Sequence, residues 1–162
     1  MIVRDASPAD WSAIWPFLKQ IVAAADTFTY DPGMAEVEAE AIWMVRSPGR
    51  VVVAEAEGVG VVGTATMYAN RAGPGAHIAS ASFMVDPAHQ GRGVGRALVL
   101  DSLGWARTHG FRGMQFNAVA ATNSSAVRLY ESLGFTVIGT VPGGFRHPDH
   151  GYVGLHVMFC PL

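Results

Sequence analysis

The sequence predicts an α/β (α+β) domain in which a mixed sheet of seven strands carries helices on both faces. Two observations predict it. Stretches with strand-like and helix-like spacing of apolar residues follow one another as β-α-α-β-β-β-α-β-α-β-β, an order that places helices on both sides of one sheet. The chain has 162 residues, of which 50% are hydrophobic and 15% charged, enough for one full core and too apolar for disorder. No repeat, linker or low-complexity tract divides it, so residues 1–162 read as a single domain.

Ile2 to Arg4 forms the first strand. Ser7-Pro8-Ala9-Asp10 is a helix start, with Ser7 as N-cap, Pro8 in the first turn and Asp10 as the acid of a capping box. Trp11, Ile14, Trp15, Leu18, Ile21, Val22 and Ala25 then recur at helical spacing, and Pro16 is expected to kink or split that helix. A loop from Asp26 to Pro32 leads to a second helix over Met34 to Val45. Arg50 to Glu57 and Val59 to Tyr68 are strands joined at Glu57-Gly58, and Asn70 to Gly75 is a turn-rich loop. Ile78 to Val85 is an apolar strand, followed after a glycine-rich loop by a helix to about His109 that Gly110 closes. Gly113 to Val119 is a strand. Ala126, Leu129, Tyr130 and Leu133 give an amphipathic helix ended by Gly134. Phe135 to Val141 and Tyr152 to Phe159 are the last strands, with Pro142 to Gly151 as their connection.

Composition narrows the function. The formal net charge is −2 and Lys and Arg form no run, which argues against a nucleic-acid partner or an anionic membrane surface. No apolar run reaches the length of a membrane span, and the first residues lack the pattern of a secretory leader. Cys160 is the single cysteine, so no intrachain disulfide forms, and a reducing cytoplasm is the expected location.

The richest stretch is Asp86-Pro87-Ala88-His89-Gln90-Gly91-Arg92-Gly93-Val94-Gly95-Arg96. Its alternate glycines let the backbone take positive φ and approach a ligand closely, and its N–H groups converge at a helix start, which suits phosphate oxygens. A Walker loop would need Lys-Ser/Thr after Gly95, where Arg96-Ala97 stands; a dinucleotide fingerprint would need glycine at Arg96. The pattern present is Gln90-x-x-Gly93-x-Gly95 after a strand and Asp-Pro. It resembles the pyrophosphate loop of the GCN5-related N-acetyltransferases (GNAT). A second stretch, Asn123-x-x-Ala126-x-x-x-Tyr130-x-x-x-Gly134-Phe135, is similar to that family's other signature, at the family's spacing. The resemblance covers nearly the whole chain.

The resemblance implies the GNAT acyl-CoA acyltransferase fold: a mostly antiparallel sheet whose strands before and after the pyrophosphate helix splay into a central V. It implies acetyl-CoA as co-substrate, held by Gln90, Gly91, Arg92, Gly93, Val94, Gly95 and Arg96 and, beside the V, by Phe83, Met84, Val85, Asn123, Ala126 and Tyr130. Tyr130 matches the family tyrosine that protonates the departing thiolate; as a residue of an apolar helix face, it equally reads as core. The central strand holds no Glu to serve as base. It is similar to the branch that acetylates small amino-acid-like amines, phosphinothricin and azetidine-2-carboxylate acetyltransferases among them. By that resemblance Asn117 and Asn123 are candidates to orient a water or the amine. Where a relative of that branch carries Asn, this chain has Ser80.

Phe28 and Tyr30, on the loop after the first helix, are candidate substrate-facing aromatics or plain core; Ser80 and, by resemblance to phosphinothricin-type enzymes that carry a His in a comparable loop, His147 complete the candidate substrate set. His147, Asp149 and His150 admit a base or a metal site, but read more simply as solvated surface, and no metal is expected. The expected protein is thus an acetyl-CoA-dependent N-acetyltransferase of a small-molecule amine, a homodimer in the cytoplasm. A peptide N-terminal acetyltransferase and a non-catalytic acyl-CoA sensor are the alternatives.

Overall fold

The computed structural model describes residues 1–162. Its strands are β1 (Ile2–Asp5), β2 (Arg50–Ala56), β3 (Gly60–Ala69), β4 (Ile78–Val85), β5 (Gly113–Ala120), β6 (Thr136–His147) and β7 (Gly151–Pro161), and its helices α1 (Trp11–Ala24), α2 (Glu36–Trp43), α3 (Val94–Thr108) and α4 (Ser124–Ser132). The strands form one sheet in the order β1-β2-β3-β4-β5-β7-β6. Every pairing is antiparallel except β4 with β5.

Strand alternation divides the core in two. Ala65 and Met67 on β3 and Ala79 and Ala81 on β4 pack with Val94, Leu98, Val99 and Leu103 of α3 on one face. Val51 and Val53 on β2 and Met84 on β4 face the other way, against Ile14, Phe17 and Leu18 of α1 and Ala39 and Trp43 of α2. The helix start at Ser7 forms as the sequence indicates: Asp10 Oδ2 accepts from Ser7 N–H at 2.7 Å and Ser7 Oγ at 2.9 Å. Arg4 reaches the same carboxylate, at 2.7 Å, and holds it well below the usual carboxylate range.

Three local expectations are corrected. α1 runs unbroken through Pro16. The proline and Ser12, whose carbonyl loses its amide partner, are both exposed, so the freed group is open to solvent. α2 covers Glu36–Trp43, shorter at each end than the apolar spacing suggests. The connection expected over Pro142 to Gly151 is mostly strand, because β6 continues to His147, paired with Gly151. Pro142 to Gly144 are absorbed as an irregularity between Val141 and Phe145 on the edge strand, where a missing ladder donor is tolerated.

The parallel pair is the feature that positions a site. β4 and β5 are paired only at Ile78–Gly113 and Ala79–Met114. Beyond that the strands diverge, and the β5 side of β4 from Ser80 to Val85 carries backbone groups without a strand partner. Gly113 allows the close start: a Cβ there would stand 2.5 Å from the Phe159 ring. β5 leaves its register with β7 between Phe116 and Val119, which places Asn117 and Ala118 beside the gap.

Candidate active site

The gap opens into a cavity of about 230 Å³ that reaches both faces of the sheet. On the α1–α2 side it is lined by Phe28, Tyr30, Tyr68, Ser80 and Ser82; on the α3–α4 side by Phe83, Phe116, Asn123, Ala126 and Tyr130. Asn117 and Ala118 line the β5 edge. No Asp, Glu, His, Lys or Arg is among the lining residues. A reacting centre here is approachable from two sides, by one molecule along the unpaired edge of β4 and by another from under the Phe28–Tyr30 loop.

Tyr130 is held by aromatic packing. Its ring centroid is 4.6 Å from Phe116, 5.9 Å from Phe135 and 6.2 Å from Phe83. Burial pushes its phenol well above the ordinary tyrosine range, with no charge or hydrogen bond offsetting it. The hydroxyl therefore stays protonated across the physiological range. Tyr130 both packs against the core aromatics and lines the cavity.

Phe28 and Tyr30 likewise pack on the core and line the cavity. Their rings stack at 5.5 Å, and Phe28 packs edge-on to buried Trp43 at 6.3 Å, so the loop is anchored to α2 while it walls the cavity. Burial, with the neighbouring Tyr68, pushes the Tyr30 phenol up to about 12.

Asn123 caps α4, its Oδ1 accepting from Ala126 N–H at 3.3 Å and Ser125 Oγ at 3.1 Å. That leaves its amide NH2 for the cavity. Asn117 Nδ2 donates to Asn70 Oδ1 at 2.7 Å, and Gln115 Nε2 donates to Asn117 Oδ1 at 2.9 Å, which ties the rim of the cavity to the loop after β3. Ser80 is 3% exposed and lines the floor. His147 is not brought to this cavity. It ends β6, its ring centroid 4.5 Å from His150, and its Nδ1 accepts from Asp149 N–H at 3.1 Å. No group of three or more metal-ligating side chains forms.

Next to the gap, the glycine-rich loop is ordered from its start. Asp86 accepts from Ala88 N–H at 2.9 Å and faces His89 Nδ1 at 3.1 Å. Gly91 and Gly93 have φ of 73° and 81°, the left-handed region that glycine adopts freely, and a Cβ at either would meet nothing within 4 Å. Space above the loop is thus open. Gly93 is the N-cap of α3, and no side chain caps the helix. The first helical N–H groups, at Val94, Gly95 and Arg96, have no intrahelical partner and the helix dipole behind them, and Gln90, Arg92 and Arg96 stand exposed beside them. These residues fit a pyrophosphate. Val94 and Met84, buried at 4% and 1% exposure, can offer only backbone to a ligand; Phe83 and Val85, on the opposite face of β4 from Met84, are half-buried at the unpaired edge.

Sequence reasoning missed Tyr68, Ser82, Thr27 and Thr29 among the lining residues. Strand register was the available signal for the first two: Tyr68 lies opposite Ser80, and Ser82 shares its face.

A sheet opened at its one parallel pair, a phosphate-ready helix start beside the gap and a protonated phenol lining it are the features of one class of protein, the acyltransferases. The chain belongs to the acetyltransferase (GNAT) family, whose model matches residues 15–135. It is 57% identical to a GCN5-related N-acetyltransferase from Kribbella flavida, with a TM-score of 0.96 over 99% of this chain and 97% of that one. It is 33% identical over 147 residues, 88% of this chain and 84% of the relative, to the L-methionine sulfoximine/L-methionine sulfone acetyltransferase of Salmonella typhimurium. A phosphinothricin acetyltransferase from Sinorhizobium meliloti, solved in complex with acetyl-CoA, superimposes with a TM-score of 0.87 at 25% identity, over 99% of this chain and 88% of that one. A shorter match, 38% identical over 89 residues, joins 54% of this chain to 43% of the Schizosaccharomyces pombe N-acetyltransferase aca1, so this chain spans under half of that relative.

Proposed function

We propose that this protein transfers the acetyl group of acetyl-CoA directly to the amine of a small molecule, an amino acid or amino-acid analogue, bound together with the cofactor. The observation that carries this reading is the cavity itself, which opens to both sheet faces at the β4–β5 divergence, with Tyr130 lining it and the Phe28–Tyr30 loop walling one side. Acetyl-CoA supplies the activated acyl group. Its pyrophosphate fits the α3 N-terminus with Arg92 and Arg96, and its pantetheine amides fit the unpaired edge of β4.

The chain's own residues then do three things. Backbone N–H groups of β4 polarise the carbonyl as negative charge develops there. The Phe28–Tyr30 loop, Ser80 and Asn117 orient the amine and exclude bulk water. Tyr130 gives its proton to the departing sulfur and takes one back from water that enters as the products leave. No carboxylate or imidazole lines the cavity, so the amine's proton leaves through water ordered by Asn117 and Asn123. A wall anchored by Phe28 on Trp43 favours a small acceptor over a peptide, and the activities named for the Salmonella and Sinorhizobium relatives support an amino-acid-like one. The same reading includes a homodimer, for which exposed Val137, Ile138 and Val141 on edge strand β6 provide apolar surface, and a cytoplasmic location.

The test is thiol release from acetyl-CoA with a panel: L-methionine sulfone, L-methionine sulfoximine, phosphinothricin, azetidine-2-carboxylate, the amine of each lacking its carboxylate, and a peptide N-terminus. Turnover of the amino acids ahead of their decarboxylated counterparts is expected. Turnover of the peptide alone, or acetyl-CoA binding without any turnover, would refute the proposal.

A further inference from the structure

Beside the acceptor half of the cavity lies a hydroxyl with no role in the chemistry above. Thr66, on β3, is 2% exposed, and its Oγ1 is the one buried side-chain polar atom without a hydrogen-bond partner. A buried polar group in that state marks a place where a partner arrives from elsewhere or a neighbour must turn. Thr64, two residues earlier on the same face, shows what satisfaction looks like: its Oγ1 accepts from Trp43 Nε1 at 3.1 Å and donates to the Val52 carbonyl at 2.8 Å.

The register tells which neighbour it is. Side chains two apart on a strand share a face, so Thr66 lies between Thr64, which touches α2, and Tyr68, which lines the cavity. Directly opposite Thr66 on β4 is Ser82, and Ser82 lines the cavity next to Ser80. Opposed side chains on antiparallel strands have Cβ atoms about 5 Å apart, and Thr–Ser pairs at that spacing hydrogen-bond. Thr66 Oγ1 is sealed from solvent and does not line the cavity, whereas Ser82, its cross-strand neighbour, does.

We infer that Ser82 binds the acceptor molecule and that Thr66 is its positioning residue. Thr66 donates its proton to Ser82 Oγ, and Ser82 turns its own proton into the cavity, toward an oxygen of the acceptor. Both hydroxyls are then satisfied together only when an acceptor is seated. An oxygen is the matching group because Ser82, its own oxygen occupied by Thr66, presents a donor to the cavity. In an amino-acid acceptor that oxygen belongs to the carboxylate or to a polar side chain. The inference rests on the reading of this cavity as the site of small-amine acetylation.

The experiment compares wild type with Ser82→Ala, Thr66→Val, Thr66→Ser and the Ser82→Ala/Thr66→Val double variant, using the fastest acceptor of the panel above and its counterpart lacking the carboxylate. Ser82→Ala and Thr66→Val are each expected to raise the acceptor KM about tenfold, the scale of one hydrogen bond, with the acetyl-CoA KM unchanged. The double variant should be no worse than Ser82→Ala, because one residue acts through the other. Thr66→Ser should restore the wild-type KM. Thr66→Val should melt no lower than wild type, since a methyl replaces an unpartnered hydroxyl of the same shape. Loss of the KM effect in the counterpart assigns the oxygen to the carboxylate; its persistence assigns it to the side chain.

A wild-type KM in Ser82→Ala or Thr66→Val, or effects that add in the double variant, overturns the inference and leaves the proposed function standing. A wild type inert toward every amine of the panel overturns both.

Discussion

Replacing Tyr130 by Phe removes one oxygen and leaves the ring contacts with Phe116, Phe135 and Phe83 in place. Because that hydroxyl lines the cavity and makes no hydrogen bond within the fold, its loss costs the fold little, within about 0.5 kcal/mol or about 2 °C in melting temperature. The expected effect is on chemistry. A positioned general acid contributes on the order of 10²-fold or more, so kcat should fall about 100-fold, about 2.7 kcal/mol of barrier. Acetyl-CoA affinity should be unchanged. The pH profile adds a second check. The phenol pKa is raised by burial, so its proton is retained where an ordinary tyrosine begins to lose it, and wild-type kcat should show no decline from this group up to about pH 10. The assay is continuous thiol detection at saturating acetyl-CoA, with viscosity independence establishing that chemistry limits. A Tyr130→Phe enzyme with wild-type kcat under those conditions would remove Tyr130 from the mechanism. A melting temperature lowered by more than about 5 °C would mean the hydroxyl is structural.

The other predictions concern charge, the acceptor rim and packing. Asp10→Ala should lower the melting temperature by about 4–8 °C at pH 7, for about 2 kcal/mol lost with the Arg4 pair and the Ser7 bonds. Asp10 has its folded pKa depressed, so its contribution is full above the unfolded value of about 3.9 and is lost as pH falls below it; the gap between variant and wild type should close in acid, and a gap constant down to about pH 2 would contradict this. Ser80→Ala or Asn117→Ala should raise the acceptor KM or lower kcat with acetyl-CoA affinity intact, as read by initial rates and calorimetry; unchanged kinetics in both would misplace the acceptor. Arg92→Ala with Arg96→Ala should weaken acetyl-CoA binding about tenfold and flatten its salt dependence, since screened phosphate contacts are lost. Gly113→Ala should cost about 1–3 kcal/mol in denaturant unfolding, because its Cβ would overlap the Phe159 ring, and full stability would show the start of β5 to be looser than described.

What the sequence alone determined is what local chemistry controls. Element order, the capping acid Asp10, the strand Ile78–Val85 with its loop, and the helix from Asn123 to Gly134 were legible because spacing, caps and glycines act within a few residues. The two family motifs located the loop, the helix and Tyr130 for the same reason. Tertiary structure decided the rest. Pro16 reads as a breaker, yet its helix face is solvated; Pro142–Gly144 reads as a turn, yet an edge strand absorbs it. Tyr130 and Phe28 each read as core or as site residues, and the fold puts both in a wall that packs on the core and lines the cavity. Tyr68, Ser82 and the unpartnered Thr66 carry no motif. Their importance comes from register, a pairing between residues far apart in the chain that only the folded sheet fixes.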